Sequence, residues 1–143
     1  MDLAGTLTAL DTALSAINGV SPYTTTVKNV NARPVNMLAQ GDERPAIDFV
    51  MLPFSETDDS ISESKLVVPL EVRGWIALTD EQRPAPAIPL AALWTDMRTA
   101  VKANRTLGGK VSDIRFVAHR FEASEAGDAC VVMTLHLELY DTD

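Results

Sequence analysis

Apolar residues recur along this chain with two periods, and the alternation between them outlines the elements. Leu3, Leu7, Leu10, Leu14 and Ile17 are spaced by four and three, which puts them on one stripe of an amphipathic helix. Asn18-Gly19 supplies its stop. The stripe has two destinations, the domain's own sheet or a neighbouring subunit. Tyr23–Val30, rich in threonine and valine, predicts a strand. Asn31–Arg44, with Pro34 and Gly41, predicts a connection. Pro45 then opens a short strand over Ala46–Leu52, with Ile47, Phe49 and Met51 on one face, and Pro53 ends it.

Ser55–Ser64 reads SETDDSISES and predicts an exposed loop. Lys65–Thr79 predicts the longest strand. Leu66, Val68, Leu70, Val72, Ile76 and Leu78 fall on one face, with Glu71, Arg73 and Trp75 on the other. Gly74 leaves a gap on the apolar face, the mark of a possible bulge. A proline-rich connection leads to a helix over Pro89–Asn104, with Leu90, Leu93, Trp94, Met97 and Val101 as its buried stripe. Leu107-Gly108-Gly109 closes it with a left-handed cap. Val111–Phe121 and Ala129–Tyr140 predict a hairpin across the acidic turn Glu122–Asp128. The order is α-β-β-β-α-β-β. The expected fold is a single α+β domain over residues 1–143: a mixed, mostly antiparallel sheet with both helices on its apolar face. The long crossover through the second helix leaves the direction of the following strand open.

Composition narrows the function classes. The apolar share is 46%, ordinary for a globular protein. The apolar runs are strand-sized, far below the roughly 20 residues of a membrane helix, and the start has no secretory pattern, so residence in a cytoplasm is expected. A formal charge of −8 with no basic stripe argues against nucleic acid as a direct ligand. Cys130 is the only cysteine, which excludes an intrachain disulfide and a cysteine-rich zinc site.

Motifs of chemistry are missing. There is no phosphate loop, dinucleotide fingerprint or zinc-protease motif. His119 and His136 fall on neighbouring strands, with Glu122 as a paper third ligand for a metal, but an exposed strand-face histidine is the plainer reading. Glu56, Asp58 and Asp59 lack the spacing and glycine of a calcium loop. Trp75 stands on the polar face of the long strand, where it fits either an interface or coverage by the chain itself.

The order of these features resembles a known family. An amphipathic helix precedes a strand beginning Tyr23-Thr24-Thr25-Thr26-Val27. Pro45-Ala46-Ile47 opens a short strand that runs into an acidic segment. A long alternating strand follows, Leu66–Leu78. Leu93-Trp94-Thr95-Asp96-Met97 lies in the second helix, which runs to Arg105-Thr106-Leu107-Gly108-Gly109, then Val111-Ser112-Asp113-Ile114 and a hairpin ending at Tyr140. In this the chain is similar to tail terminator (tail completion) proteins of long-tailed bacteriophages, of the minor tail protein U type. The resemblance implies a non-enzymatic virion protein with no cofactor or metal, assembled in the host cytoplasm. It would form a hexameric ring on the end of the tail tube, stop elongation, and present a surface to head–tail connector proteins while DNA passes through without specific binding. The candidate interface or lumen residues are Glu56, Asp58, Asp59, Ile61, Trp75, Glu122, Glu125 and Asp128. A stopper or adaptor of the phage neck has the same style. A small ligand-binding domain with a pocket around Trp75, His119 and His136 is the alternative from another class.

Overall fold

The computed structural model describes residues 2–32, 43–60, 63–123 and 127–142. Helix α1 (Leu3–Ser15) starts at Asp2, whose carboxylate accepts from the Gly5 amide at 2.8 Å. That cap satisfies one of the helix's open amides. The Gly5 amide, and after it the Lys110 ammonium, hold the Asp2 carboxyl below the usual carboxylate range. Leu10, Ala13, Leu14 and Ile17 are buried, so the stripe is spent inside the domain's own core.

Six strands form one sheet: β1 (Asn29–Ala32), β2 (Ala46–Met51), β3 (Glu56–Ser60), β4 (Glu63–Ala77), β5 (Asp113–Ala123) and β6 (Asp128–Thr142). The order is β1-β2-β4-β6-β5, with β3 also on β4. β1 is parallel to β2, and every other pairing is antiparallel. β5 therefore runs parallel to β4 with β6 between them, which fixes the direction the crossover left open. Helix α2 (Ala87–Ala103) buries Leu90, Leu93, Met97, Ala100 and Val101 on the same face of the sheet as α1. The α+β architecture is as expected.

The differences have physical causes. Of the strand expected at Tyr23–Val30, only the end from Asn29 is strand. Upstream, the backbone amides of Thr24 and Thr25 are taken by the carboxylate of Asp96 on α2, at 2.7 Å for Thr25. The chain there is tied to a helix, and just past it makes only an isolated bridge, Thr26 to Asn18. The loop expected at Ser55–Ser64 instead contains β3, paired with β4 from Glu56↔Leu66 to Ser60↔Glu63. β2 and β3 lie along one side of β4, separated by Leu52–Ser55 with Pro53 at the break. Gly74 makes no bulge, because the β4–β6 register runs through Gly74↔Val131 without a shift. It makes room: a Cβ there would stand 2.7 Å from Leu93 Cδ2 and from Met97 Sδ. The bulge lies on β5, between Phe116 and Ala118.

After α2 the chain turns through three successive left-handed residues, Leu107 (φ 48°), Gly108 (φ 70°) and Gly109 (φ 86°). Two are glycines, for which this backbone costs little. Leu107 accepts the strain and buries its side chain in the core.

Candidate assembly surfaces

On the sheet face away from the helices, the centre is buried and carries an ion pair. Asp48 of β2 accepts from Arg73 Nε at 2.6 Å and from the Trp75 indole N–H at 3.2 Å. Both charged groups are buried, so mutual attraction and hydrogen bonds offset the cost of leaving water. Trp75, a candidate contact residue, is therefore half-buried and its N–H already has a partner. Cys130 lies beside this pair. Burial, followed by the nearby Glu122 and Asp48 carboxylates, pushes its thiol up to about 12.

The remaining candidates scatter. Glu56, Asp58 and Asp59 belong to β3, and Ile61 and Glu125 lie outside the described residues. Glu122 accepts from Arg120 Nε at 2.6 Å, and Asp128 pairs with Arg44 at 3.0 Å. His119 and His136 do not approach one another. His119 pairs with Met133 and faces α2, whereas His136 pairs with Arg115 and faces the other way. The pocket imagined around Trp75, His119 and His136 is thus not formed, because His119 is on the opposite face from the other two. Among the described residues, no three histidine, cysteine, aspartate or glutamate side chains are grouped to hold a metal. Among them too, no helix is long and apolar enough to cross a membrane.

Where α2 meets β5, the Trp94 indole N–H donates to His119 Nδ1 at 3.1 Å, with the rings edge to face. The Arg98 guanidinium stacks over Trp94 and Phe116. Partial burial, then the Arg98 charge, lowers the His119 pKa. The hydrogen bond requires the neutral ring, since only an unprotonated Nδ1 accepts.

Large apolar side chains reach solvent at several places, Val20 and Ile88 most of all. At the β5 edge, Val117 is 52% and Phe121 43% exposed. Phe121, Trp94, Ala91 and His119 line a groove there. Beside the β2–β3 break, Met51 on the helix-covered face is 40% exposed, and Phe54, next to residues of the other face, is 42% exposed. A second groove runs there past Pro53, Phe54, Val67, Pro69 and His136. A third hollow, about 740 Å³, lies at the start of α2 and is lined by Thr25, Pro45, Ile76, Ile88 and Ala92. Sequence periodicity placed Met51 on one face with Ile47 and Phe49. They are buried and it is exposed, because it is the last residue of β2.

No family model and no curated protein matches the chain. Among solved structures, a chain of the virion of a native gene transfer agent (GTA) particle is similar to it. The identity is 10%, 94% of this chain and 91% of that chain are covered, and the TM-score is 0.44. A likeness at that level assigns neither fold nor role.

Proposed function

We propose that this protein is a structural component of a long-tailed bacteriophage virion, specifically the tail terminator. In this reading copies of the chain form a hexameric ring on the end of the tail tube. The ring stops elongation, offers the surface that head–tail connector proteins join, and lets DNA pass without specific binding. It performs no catalysis and holds no cofactor. The observation that carries the reading is that exposed apolar side chains stand at separate places on one sheet, Val117 and Phe121 on edge strand β5 and Phe54 beside the β2–β3 break. A ring is a closed heterologous assembly, in which each subunit uses two different surfaces. The net charge of −8 adds that a channel through such subunits would repel phosphate. The order of sequence features that resembles tail terminators supports a place in tail assembly.

The test is to add the purified chain to tail tube protein during polymerisation. Rings at tube ends in electron micrographs, with shorter tubes as the chain is added, are expected. A chain that stays monomeric at every concentration and leaves tube length unchanged refutes the reading. Binding to the head connector but not to tubes would replace it with a stopper or adaptor.

A further inference from the structure

The cations of this acidic chain gather along the end of α2, the turn after it, and β5. Arg98, Lys102, Arg105, Lys110, Arg115 and Arg120 lie there. Arg105 is taken by Asp113, Lys110 by Asp2, Arg115 by Glu138, and Arg120 by Glu71 and Glu122. Among the described residues, Arg98 and Lys102 meet no carboxylate. Lys102 is exposed in the last turn of α2, where a cation offsets the helix's negative end. Arg98 has a different setting. It is half-buried, its guanidinium over the Trp94 and Phe116 rings at 5.8 and 5.2 Å. The rings hold the charge in place, while its N–H groups meet no acceptor among the described residues. Trp94, one helical turn earlier and about 6 Å along the axis, borders the groove with Ala91 and Phe121. This surface fits an apolar side chain that has a carboxylate about 6–7 Å from it.

Side chains two apart in an extended segment share a face at about 6.6 Å. Among the exposed large apolar residues, Phe54 has a carboxylate at that spacing: Glu56, which is exposed and makes no ion pair among the described residues. Tyr140 has Glu138, already taken by Arg115. The others have no acidic residue two positions away. Phe54 also stands in a prominent segment. Between Met51↔Leu70 and Glu56↔Leu66, the chain runs beside β4 with Leu52–Ser55 opposite the shorter Val67–Pro69. The extra residue pushes the segment outward, as in a bulge. We infer that this segment of one copy docks on the next copy, with Phe54 in the groove of Ala91, Trp94 and Phe121 and Glu56 on Arg98. Within one chain the two surfaces cannot meet. β4 and β6 stand between β3 and β5, a separation of three strand spacings or about 14 Å. The contact therefore joins unlike surfaces of two copies head to tail, as a ring requires. It rests on the ring reading above and names its contact.

The test uses Arg98→Glu and Glu56→Arg, each checked for an unchanged melting temperature and then added to polymerising tail tubes. Either variant alone sets like charges against each other at every contact. The concentration that caps half the tubes should rise roughly tenfold or more. Mixed in equal amounts, the two should cap as the native chain does. A hexameric ring can alternate them, so that each contact is either the native pair or its reverse. A role in holding tube protein, or in the fold, would not be rescued by mixing. A photoreactive benzophenone analogue of phenylalanine at position 54 gives a readout independent of the Arg98 variant. On tubes it should cross-link to a second copy, within Ala91–Trp94 or His119–Phe121 by mass spectrometry. Capping by both single variants at native concentration would overturn the inference. So would failure of the mixture, or cross-links to tube protein alone. Each of these leaves the terminator reading standing if the native chain still forms rings at tube ends. No rings from the native chain would remove both.

Discussion

Replacing Asp96 by alanine tests how the segment after α1 is placed. The side chain is 2% exposed and accepts from the Thr24 and Thr25 amides, at 3.1 and 2.7 Å, and from the Thr24 hydroxyl at 3.3 Å. A hydrogen bond to a charged acceptor contributes about 1.5–3 kcal/mol. Thr24 is exposed, so its amide regains water and its share falls at the low end. Together the loss should be about 2–4 kcal/mol, a large part of a domain's net stability. At about 2–4 °C per kcal/mol the melting temperature should fall by roughly 5–15 °C. Asp96→Asn keeps an acceptor without its charge and should cost about half as much. Equilibrium urea unfolding measures the loss, and hydrogen exchange at the Thr25 amide shows whether it is local. A loss under about 0.5 kcal/mol with unchanged Thr25 exchange would refute the view that this carboxylate places the segment.

Arg73→Met should cost about 3–5 kcal/mol in urea unfolding, because it takes the guanidinium from a buried carboxylate; Arg73→Met with Asp48→Leu should recover much of that. Gly74→Ala should cost about 1–3 kcal/mol through overpacking against Leu93 and Met97, and less in a Leu93→Ala background, as a double-mutant cycle would show. The His119 pKa is lowered, so the folded state takes up its proton at lower pH than the unfolded chain. Its contribution is present above the unfolded pKa near 6.5, falls as pH drops through that value, and levels off below the folded pKa. An NMR titration should place the midpoint below that reference, and His119→Gln should flatten stability over this window. Cys130, with its thiol near 12, should resist alkylation at pH 8 until the protein is unfolded, as mass spectrometry would detect.

Much of the fold was legible because it follows from local periodicity. The alternation from Leu66 to Leu78 located β4, the stripe from Leu90 to Val101 located α2, and the closing pair of strands read as a hairpin. What was not legible depended on partners distant in sequence. Thr24 and Thr25 have strand-forming side chains, but a carboxylate 72 and 71 residues away takes their amides. Glu56–Ser60 has the composition of a loop and becomes a strand because the first residues of β4 offer it a ladder. Asp48 alternates with Ile47 and Phe49 as a solvent-facing residue should, yet it is buried with Arg73. Alternation shows which face a side chain takes but not whether that face is covered. For the same reason Met51, on one face with Ile47 and Phe49, is exposed while they are buried.

The position of β6 has a consequence for how the chain is made. This is the last strand in sequence, yet it lies between β4 and β5 and pairs along its full length with β4. As synthesis proceeds from the N-terminus, α1 and the first five strands leave the ribosome before the strand that joins β5 to the others. Until then β5 has no neighbour, and one side of β4 is open. Such long-range pairing is slow and leaves strand edges exposed meanwhile. A chain broken off before Asp128 would lack the middle of its sheet, so unfinished copies are unlike finished ones throughout the core. The sheet is thereby complete only once translation has supplied this strand.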